Sequence, residues 1–461
     1  MMKRLFLAAA LACGTLPSLA VAQTEPHGEP AAEWVVKPEW IHAHARFLAG
    51  PELQGRGSAT RDEAIAAAYV AARFEGYGLQ HAPGMDGYLQ KATIVRLRLE
   101  RDPVVTLAGT PLAGAQLLMG TGEDVSGTVT LFDGTDPDQL PSADIVVATN
   151  PGFALMRANR ALGAKGIKLL IVREGDASKA LWQRIGGKPR LPSYLEGSEP
   201  RGRPSLVVLP ARAFDAAANG AGKPLAMTLP GLVKDTAVTT NAVGYLPGTD
   251  ADAGVILLSA HLDHLGVRAD GVVMHGANDD ASGTVAVLEL AHALATGKRH
   301  RRGILFVAYG SEEIGGFGST WFGMHPPVPI DHIAANIEFE MIGAQDPKLP
   351  AGTMMMTGFE RSNLGPTLAD HGALVTQDPY PDEHFFERSD NYSLALVGVV
   401  AHTISGWAVV PTYHTDKDTL ENLDIPFMAR AIQSLIGPVR WLADSDFRPD
   451  WNPGGRPTGR R

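Results

Sequence analysis

The chain has 461 residues, 45% of them hydrophobic and 20% charged, and a formal net charge of −10. That length accommodates two or three domains with a substantial core, and the absence of a strongly basic domain argues against nucleic acid as a partner. Cys13 is the only cysteine, so beyond it no disulfide, cysteine nucleophile or cysteine metal ligand is available, and any metal site there must use His, Asp and Glu.

The opening stretch, "MMKRLFLAAALACGTLPSLAVAQ", begins with Lys3 and Arg4, continues apolar and ends on small residues. Ala20-Val21-Ala22 fits an A-x-A cleavage pattern, so residues 1–22 read as a signal peptide with a mature start near Gln23. This predicts an exported protein, periplasmic or secreted. A buried N-terminal helix fits these flanks less well. A lipoprotein signal at Cys13 ranks second, because Ala10 stands where Leu is usual. No other apolar run is long enough to span a bilayer.

From Thr60, "TRDEAIAAAYVAARFEGYG" predicts a helix. Thr60 and Glu63 form a capping-box pattern, Ala66, Val70 and Phe74 follow at helical spacing, and Gly76 or Gly78 can close it. Residues 96–235 differ in character: "GTVTLFDG", "DIVVATN", "IKLLIVR" and "SLVVLP" read as strands around a helical "FALMRANRALGAKG", with Gly/Pro-rich links. This segment clusters no candidate ligands and reads as an inserted, smaller β-rich or α+β accessory domain between 34–95 and 236–445.

From about 236 the pattern becomes α/β. Strands are expected at 254–260, 303–310, 333–339 and 397–404, and helices at 281–295 and 425–443. Continuous apolar strands alternating with helices predict a mostly parallel sheet covered by helices on both faces. Residues 446–461, rich in Pro, Gly and Arg, are expected to form a flexible tail.

Polar residues follow each strand. His261 and Asp263 come after the first, Glu312 and Glu313 after the second, Glu340 after the third. In open parallel sheets the carboxyl ends of the strands form one rim where ligands bind. "HGANDDASG" adds Asp279 and Asp280 before a helix, and "YHTDKDT" adds His414 from a late loop. Alone, a loop histidine is usually solvated, a double Asp before a helix is usually an N-cap, and an adjacent Glu pair is usually an acidic turn. Together, His and carboxylates without Cys suit catalytic zinc, and a bridging carboxylate suits two metals about 3.5–4 Å apart. Asp263, two residues after His261, is placed to orient its imidazole.

"SAHLDHLG", "GANDDASGTVAVLELA", "FVAYGSEEIGGFGS", "IEFEMIG" and "YHTDKDT" resemble, in order, the motifs of the di-zinc aminopeptidases of bacterial leucyl aminopeptidase and aminopeptidase Y type, related to glutamate carboxypeptidases. The resemblance covers about 34–95 and 236–445. The insert resembles, more loosely, a protease-associated domain. The resemblance implies two Zn2+ ions per chain, one held by His261 and Glu340, the other by Glu313 and His414, with Asp279 bridging both. It implies Glu312 as general acid/base, Asp280 as support for its loop, and Tyr413 as a stabiliser of the tetrahedral intermediate. Asp390, in "FFERSDNYS", falls in the family's Ser-Asp-His/Asn segment as a supporting residue. Many members carry Asp where Glu340 stands; the longer side chain can shift the metal, though zinc accepts either carboxylate.

The function this implies is removal of N-terminal amino acids from peptide or aminoacyl substrates. Rivals on the same fold are a glutaminyl cyclase, a carboxypeptidase-type activity, for which Arg388 near the site offers a partner for a terminal carboxylate although a structural role fits it better, and a catalytically silent binding protein, disfavoured because every ligand position carries an acceptable residue. A serine hydrolase is disfavoured by the lack of a G-x-S-x-G elbow, and the helical H-E-x-x-H motif is also absent.

Overall fold

In the computed structural model, which describes residues 34–158, 162–163, 165–185, 187–199 and 204–459, the apolar runs of the second half become the middle of a nine-stranded sheet. The leader read in residues 1–22 lies outside the described residues. From Val35 onward the chain forms one compact unit.

Strands Gly303–Tyr309, Val255–His261, Ile333–Phe339 and Ala401–Ser405 lie side by side and run parallel. Val255–His261 and Gly303–Tyr309 are buried throughout, because helices cover both faces. On one face, Val255, Leu257, Leu305 and Val307 pack with Phe322 and Leu394 of helices Phe317–Met324 and Asn391–Val397. On the other, Phe306 meets Phe74 of helix Arg61–Gly76 with ring centroids 6.2 Å apart. Helices Gly283–Ala295 and Ile425–Asp444 cover strand Val255–His261. The expected α/β class holds.

The outer part of the sheet is antiparallel. Leu232–Leu246 pairs with Gly303–Tyr309, and Leu89–Leu99 pairs with Leu232–Leu246 from Leu89 opposite Ala242 to Leu99 opposite Leu232. This strand pair is the arm that carries the insert, and its pairing runs past the boundaries read at 96 and 235. The insert also returns a short strand, Ser193–Leu195, to the edge of the main sheet, with Leu195 opposite Ile94. Asn241, on the arm, accepts the N–H of Gly310 at 3.0 Å.

The insert has a sheet of its own. Val125–Phe132, Ile145–Ala148, Leu169–Arg173 and Ser205–Leu209 run parallel at its centre. Val147, Ile171 and Val207 feed one apolar cluster and Val146, Leu170 and Val208 another, as expected of strands covered on both faces.

Residues 446–459 do not fray. Trp451 Nε1 donates to the Gly398 carbonyl at 3.2 Å, and Asn452 N donates to Arg361 O at 2.8 Å. The Trp451 indole packs against Phe386 and His402, so one aromatic anchors a segment whose composition alone predicts disorder. Among the described residues no helix is long and apolar enough to cross a membrane.

Candidate metal centre

The parallel strands bring their carboxyl ends to one edge. His261 closes strand Val255–His261, Glu312 and Glu313 follow Gly303–Tyr309, and Glu340 follows Ile333–Phe339. The chain turns sharply at these points: Ser311, Met341 and His414 all have left-handed backbone, with φ of 58°, 54° and 53°, a conformation uncommon for non-glycine residues and concentrated at functional sites. Asp279 comes from the irregular segment Ala277–Ser282 that leads into helix Gly283–Ala295.

Asp279 sits at the centre. Its Oδ1 lies 3.2 Å from His261 Nε2, and its Oδ2 lies 3.1 Å from His414 Nε2. His414 Nε2 is also 3.2 Å from Glu313 Oε2. Two groups of potential ligands result, each with its ligand atoms within 4.8 Å of one another: His261, Asp279 and Glu340, and His264, Asp279, Glu313 and His414. The longer Glu340 side chain therefore reaches the first group. His264 was not singled out by sequence. Its Nδ1 lies 2.7 Å from Glu313 Oε1 and 3.8 Å from Asp279 Oδ2.

These residues fit zinc. Two ligand atoms each about 2.0–2.1 Å from one tetrahedral zinc stand about 3.3 Å apart, close to the His–carboxylate separations across Asp279. His261 Nε2, His264 Nδ1, Asp279 Oδ2 and Glu313 Oε1 are buried yet find no aligned hydrogen-bond partner among the described residues. Buried polar atoms left so are rare and costly.

The electrostatics favour positive charge here. Burial pushes the Asp279 carboxyl up, but the imidazoles of His261, His414 and His264 outweigh it and hold it well below the usual carboxylate range. Burial works against a charged His414, yet Asp279 and Glu313 lift its ring to about 10. Burial raises the Glu312 carboxyl well above its ordinary value; His261 opposes the rise, and the negative charges of Asp390, Glu340 and Glu313 add to it.

A ring of buried carboxylates fixes the backbone around the candidate ligands. Asp263 accepts Ser58 Oγ at 2.5 Å, Glu312 N at 3.0 Å and Glu313 N at 3.4 Å. Its contact to the imidazole runs mainly through its carbonyl, 3.2 Å from His261 Nδ1, with the carboxylate at 3.6 Å. Asp280 accepts the backbone N–H of His261, Gly283 and Met341. Asp418 accepts those of Asn278 and Asp279 at 2.7 and 3.0 Å. Glu63 does not complete the capping box: Thr60 Oγ1 accepts Asp62 N and Glu63 N, while the Glu63 carboxylate accepts Ala59 N, Thr240 N and Ser311 Oγ. Asp390 is buried behind the turn, with Oδ1 3.5 Å from where a side chain at Gly316 would begin.

Arg56 was also missed. It is fully buried and donates to the carbonyls of Leu48, Leu262, His275 and Gly276, tying the segment before helix Arg61–Gly76 to both metal loops. His264 and Asp418 lie inside the motifs "SAHLDHLG" and "YHTDKDT", which was the one signal that could have found them.

Beside the candidate ligands, a small cavity of about 40 Å³ is lined by Glu340, Met341, Met355, Phe385, Arg388, Ala408 and Tyr413, among others. The Tyr413 ring stacks on His414 with centroids 3.9 Å apart. Arg388 pairs with Glu383 at 3.4 Å and lies over the Phe385 ring.

Residues 241–437 match the model of Peptidase family M28. The leupeptin-inactivating enzyme 1 of Streptomyces exfoliatus is 31% identical over 215 residues, 43% of this chain and 47% of that protein. A vacuolar membrane protease of Ajellomyces capsulatus is 23% identical over 220 residues, 44% of this chain and 21% of its own length. The matched region thus spans about half or less of these curated relatives. In fold, an aminopeptidase from Aneurinibacillus sp. strain AM-1 superposes with a TM-score of 0.56 at 19% identity, covering 89% of this chain and 94% of that one. BSAP, a zinc aminopeptidase from Bacillus subtilis, gives 0.53 at 16%, covering 90% and 97%. The likeness to peptidase family M28 thus lies in residues 241–437, where the five motifs also lie.

Proposed function

We propose that this protein is an exported metallo-aminopeptidase that holds two zinc ions and releases N-terminal amino acids from peptides. The observation that carries the reading is the shared carboxylate: Asp279 contacts His261 on one side and His414 on the other, with Glu312 on the same turn as the ligand Glu313. His261, Glu340 and Asp279 hold one ion; Glu313, His414 and Asp279 hold the other. Zinc bound there supplies Lewis acidity and a water acidic enough to ionise near neutral pH.

The remaining work falls to the chain. Glu312, its backbone pinned by Asp263, takes the proton of the attacking water and passes it to the leaving amine, a contribution worth about 10²–10⁴-fold in rate. Tyr413, stacked on His414 and half-exposed at the cavity, donates its hydroxyl to the oxygen of the tetrahedral intermediate. Asp280 supports the loop that carries Asp279, and Asp390 backs the turn that carries Glu312. Met341, Met355, Phe385 and Ala408, interspersed with Thr357, Thr403 and Ser405, line the cavity beside the cluster and would face the first residue of the substrate. Export follows from the leader read in residues 1–22.

The test is hydrolysis of a panel of aminoacyl and N-blocked peptides together with zinc counting. Release of single amino acids from free N-termini, with close to two zincs per chain, is expected. Cleavage confined to N-blocked peptides sinks the aminopeptidase assignment in favour of a carboxypeptidase, in which Arg388 would hold the terminal carboxylate. Ammonia release from N-terminal glutamine with a single zinc would identify a cyclase instead.

A further inference from the structure

We infer that His264 is itself a metal ligand, closing the Glu313–His414–Asp279 site with a fourth protein group while the His261–Asp279–Glu340 site keeps three. The inference rests on the zinc reading of the cluster and adds a residue that the family's motif does not assign.

His264 is completely buried, and neither ring nitrogen has an aligned hydrogen-bond partner. A histidine serving only the core normally satisfies at least one. Its Nδ1 is 2.7 Å from Glu313 Oε1 and 3.8 Å from Asp279 Oδ2, in one group with His414 whose ligand atoms all lie within 4.8 Å of one another. The ring is also held in place. A side chain at Gly276 would begin 2.4 Å from His264 Cγ and 2.6 Å from Cδ2, so the glycine makes room for the ring. On the other side, the backbone N–H of His264 donates to Arg56 O at 3.1 Å.

Four protein ligands characterise a closed zinc site, three an open one that keeps a position for water or substrate. The geometry therefore divides the pair: one site retains its metal, and the other leaves room for the reacting groups. Metal should enter and leave in two unequal steps.

The test uses cobalt as a spectroscopic substitute in the full chain. Cys13 is the only thiol in the sequence, so a His264→Cys variant introduces a thiolate whose coordination gives a near-ultraviolet thiolate-to-cobalt band. The expected result is that band in the cobalt-loaded variant and its absence in the loaded parent protein. A cobalt-loaded variant without the band overturns the inference. Independently, His264→Asn keeps a donor for Glu313 but is a poor ligand. Competition with a chromophoric chelator is expected to show the tighter zinc bound more than 100-fold more weakly, beyond the 10–100-fold typical of a supporting hydrogen bond. A smaller change overturns it. If the parent protein binds neither zinc nor cobalt, the zinc reading itself fails.

Discussion

The carboxylate of Asp263 accepts the backbone N–H of Glu312 at 3.0 Å. The same carboxylate reaches Glu313 N at 3.4 Å, so one buried acid fixes the backbone of both Glu312 and Glu313. Asp263→Asn replaces an acceptor oxygen with a donor facing these N–H groups. A stability loss of about 1–3 kcal/mol is expected. The kcat should fall more than zinc content does, because the turn moves before the ligands are lost. Urea unfolding, steady-state kinetics and zinc analysis on one preparation check this.

The two adjacent glutamates should separate cleanly. Glu312→Gln retains both zincs and loses about 10²–10⁴-fold in kcat. Glu313→Gln loses one zinc and most activity with it. A zinc-depleted Glu312→Gln beside a fully loaded, active Glu313→Gln would reverse the two roles.

Chelation should cost stability as well as activity. The centre packs Asp279, Glu313 and Glu340 together, and bound metal offsets their mutual repulsion. Zinc at a hundredfold over its dissociation constant stabilises by about 2.7 kcal/mol per site. The thermal midpoint is therefore expected to drop with chelator and to recover, with activity, on adding zinc.

Away from the centre, His402 predicts a pH effect. Burial lowers its pKa from 6.5 to about 4, only partly opposed by its bond to the Thr357 carbonyl, with Arg361 adding to the drop. Between those values the unfolded chain takes up a proton that the native ring refuses. Stability therefore falls as pH drops from about 6.5 to about 4, by about 3 kcal/mol at most. His402→Gln should flatten that part of the pH–stability curve, read by denaturant unfolding from pH 7 to 4.

The legible parts of the sequence were those where one physical demand dominates. "GVILLSA" and "GILFVAYG" are nearly continuous apolar runs because both faces of those strands are buried, while "IAANIEF" also buries Asn336 and Glu338; the residues just past all three stand at the sheet edge. Leu89–Leu99, "LQKATIVRLRL", was not legible as a strand of the main sheet. It is only intermittently buried and lacks a clean period. Leu232–Leu246 is exposed in its first half and buried in its second. His264 was missed because its neighbours in the cluster, Asp279, Glu313 and His414, come from other segments. Glu63 was read as a helix cap because its local spacing matches one; its partners Thr240 and Ser311 are contributed by distant segments.

The strand arm that supports the insert has a mechanical consequence. Thr240 and Asn241, at its root, bond Glu63 and Gly310, and Glu63 in turn holds Ser311, the residue before Glu312. The strand pair that carries the insert is thus hydrogen-bonded, through Glu63 and Gly310, to the turn that holds Glu312 and Glu313. Cutting the insert away would leave the Leu89–Leu99 edge without Ser193–Leu195, a bare strand able to pair with other molecules.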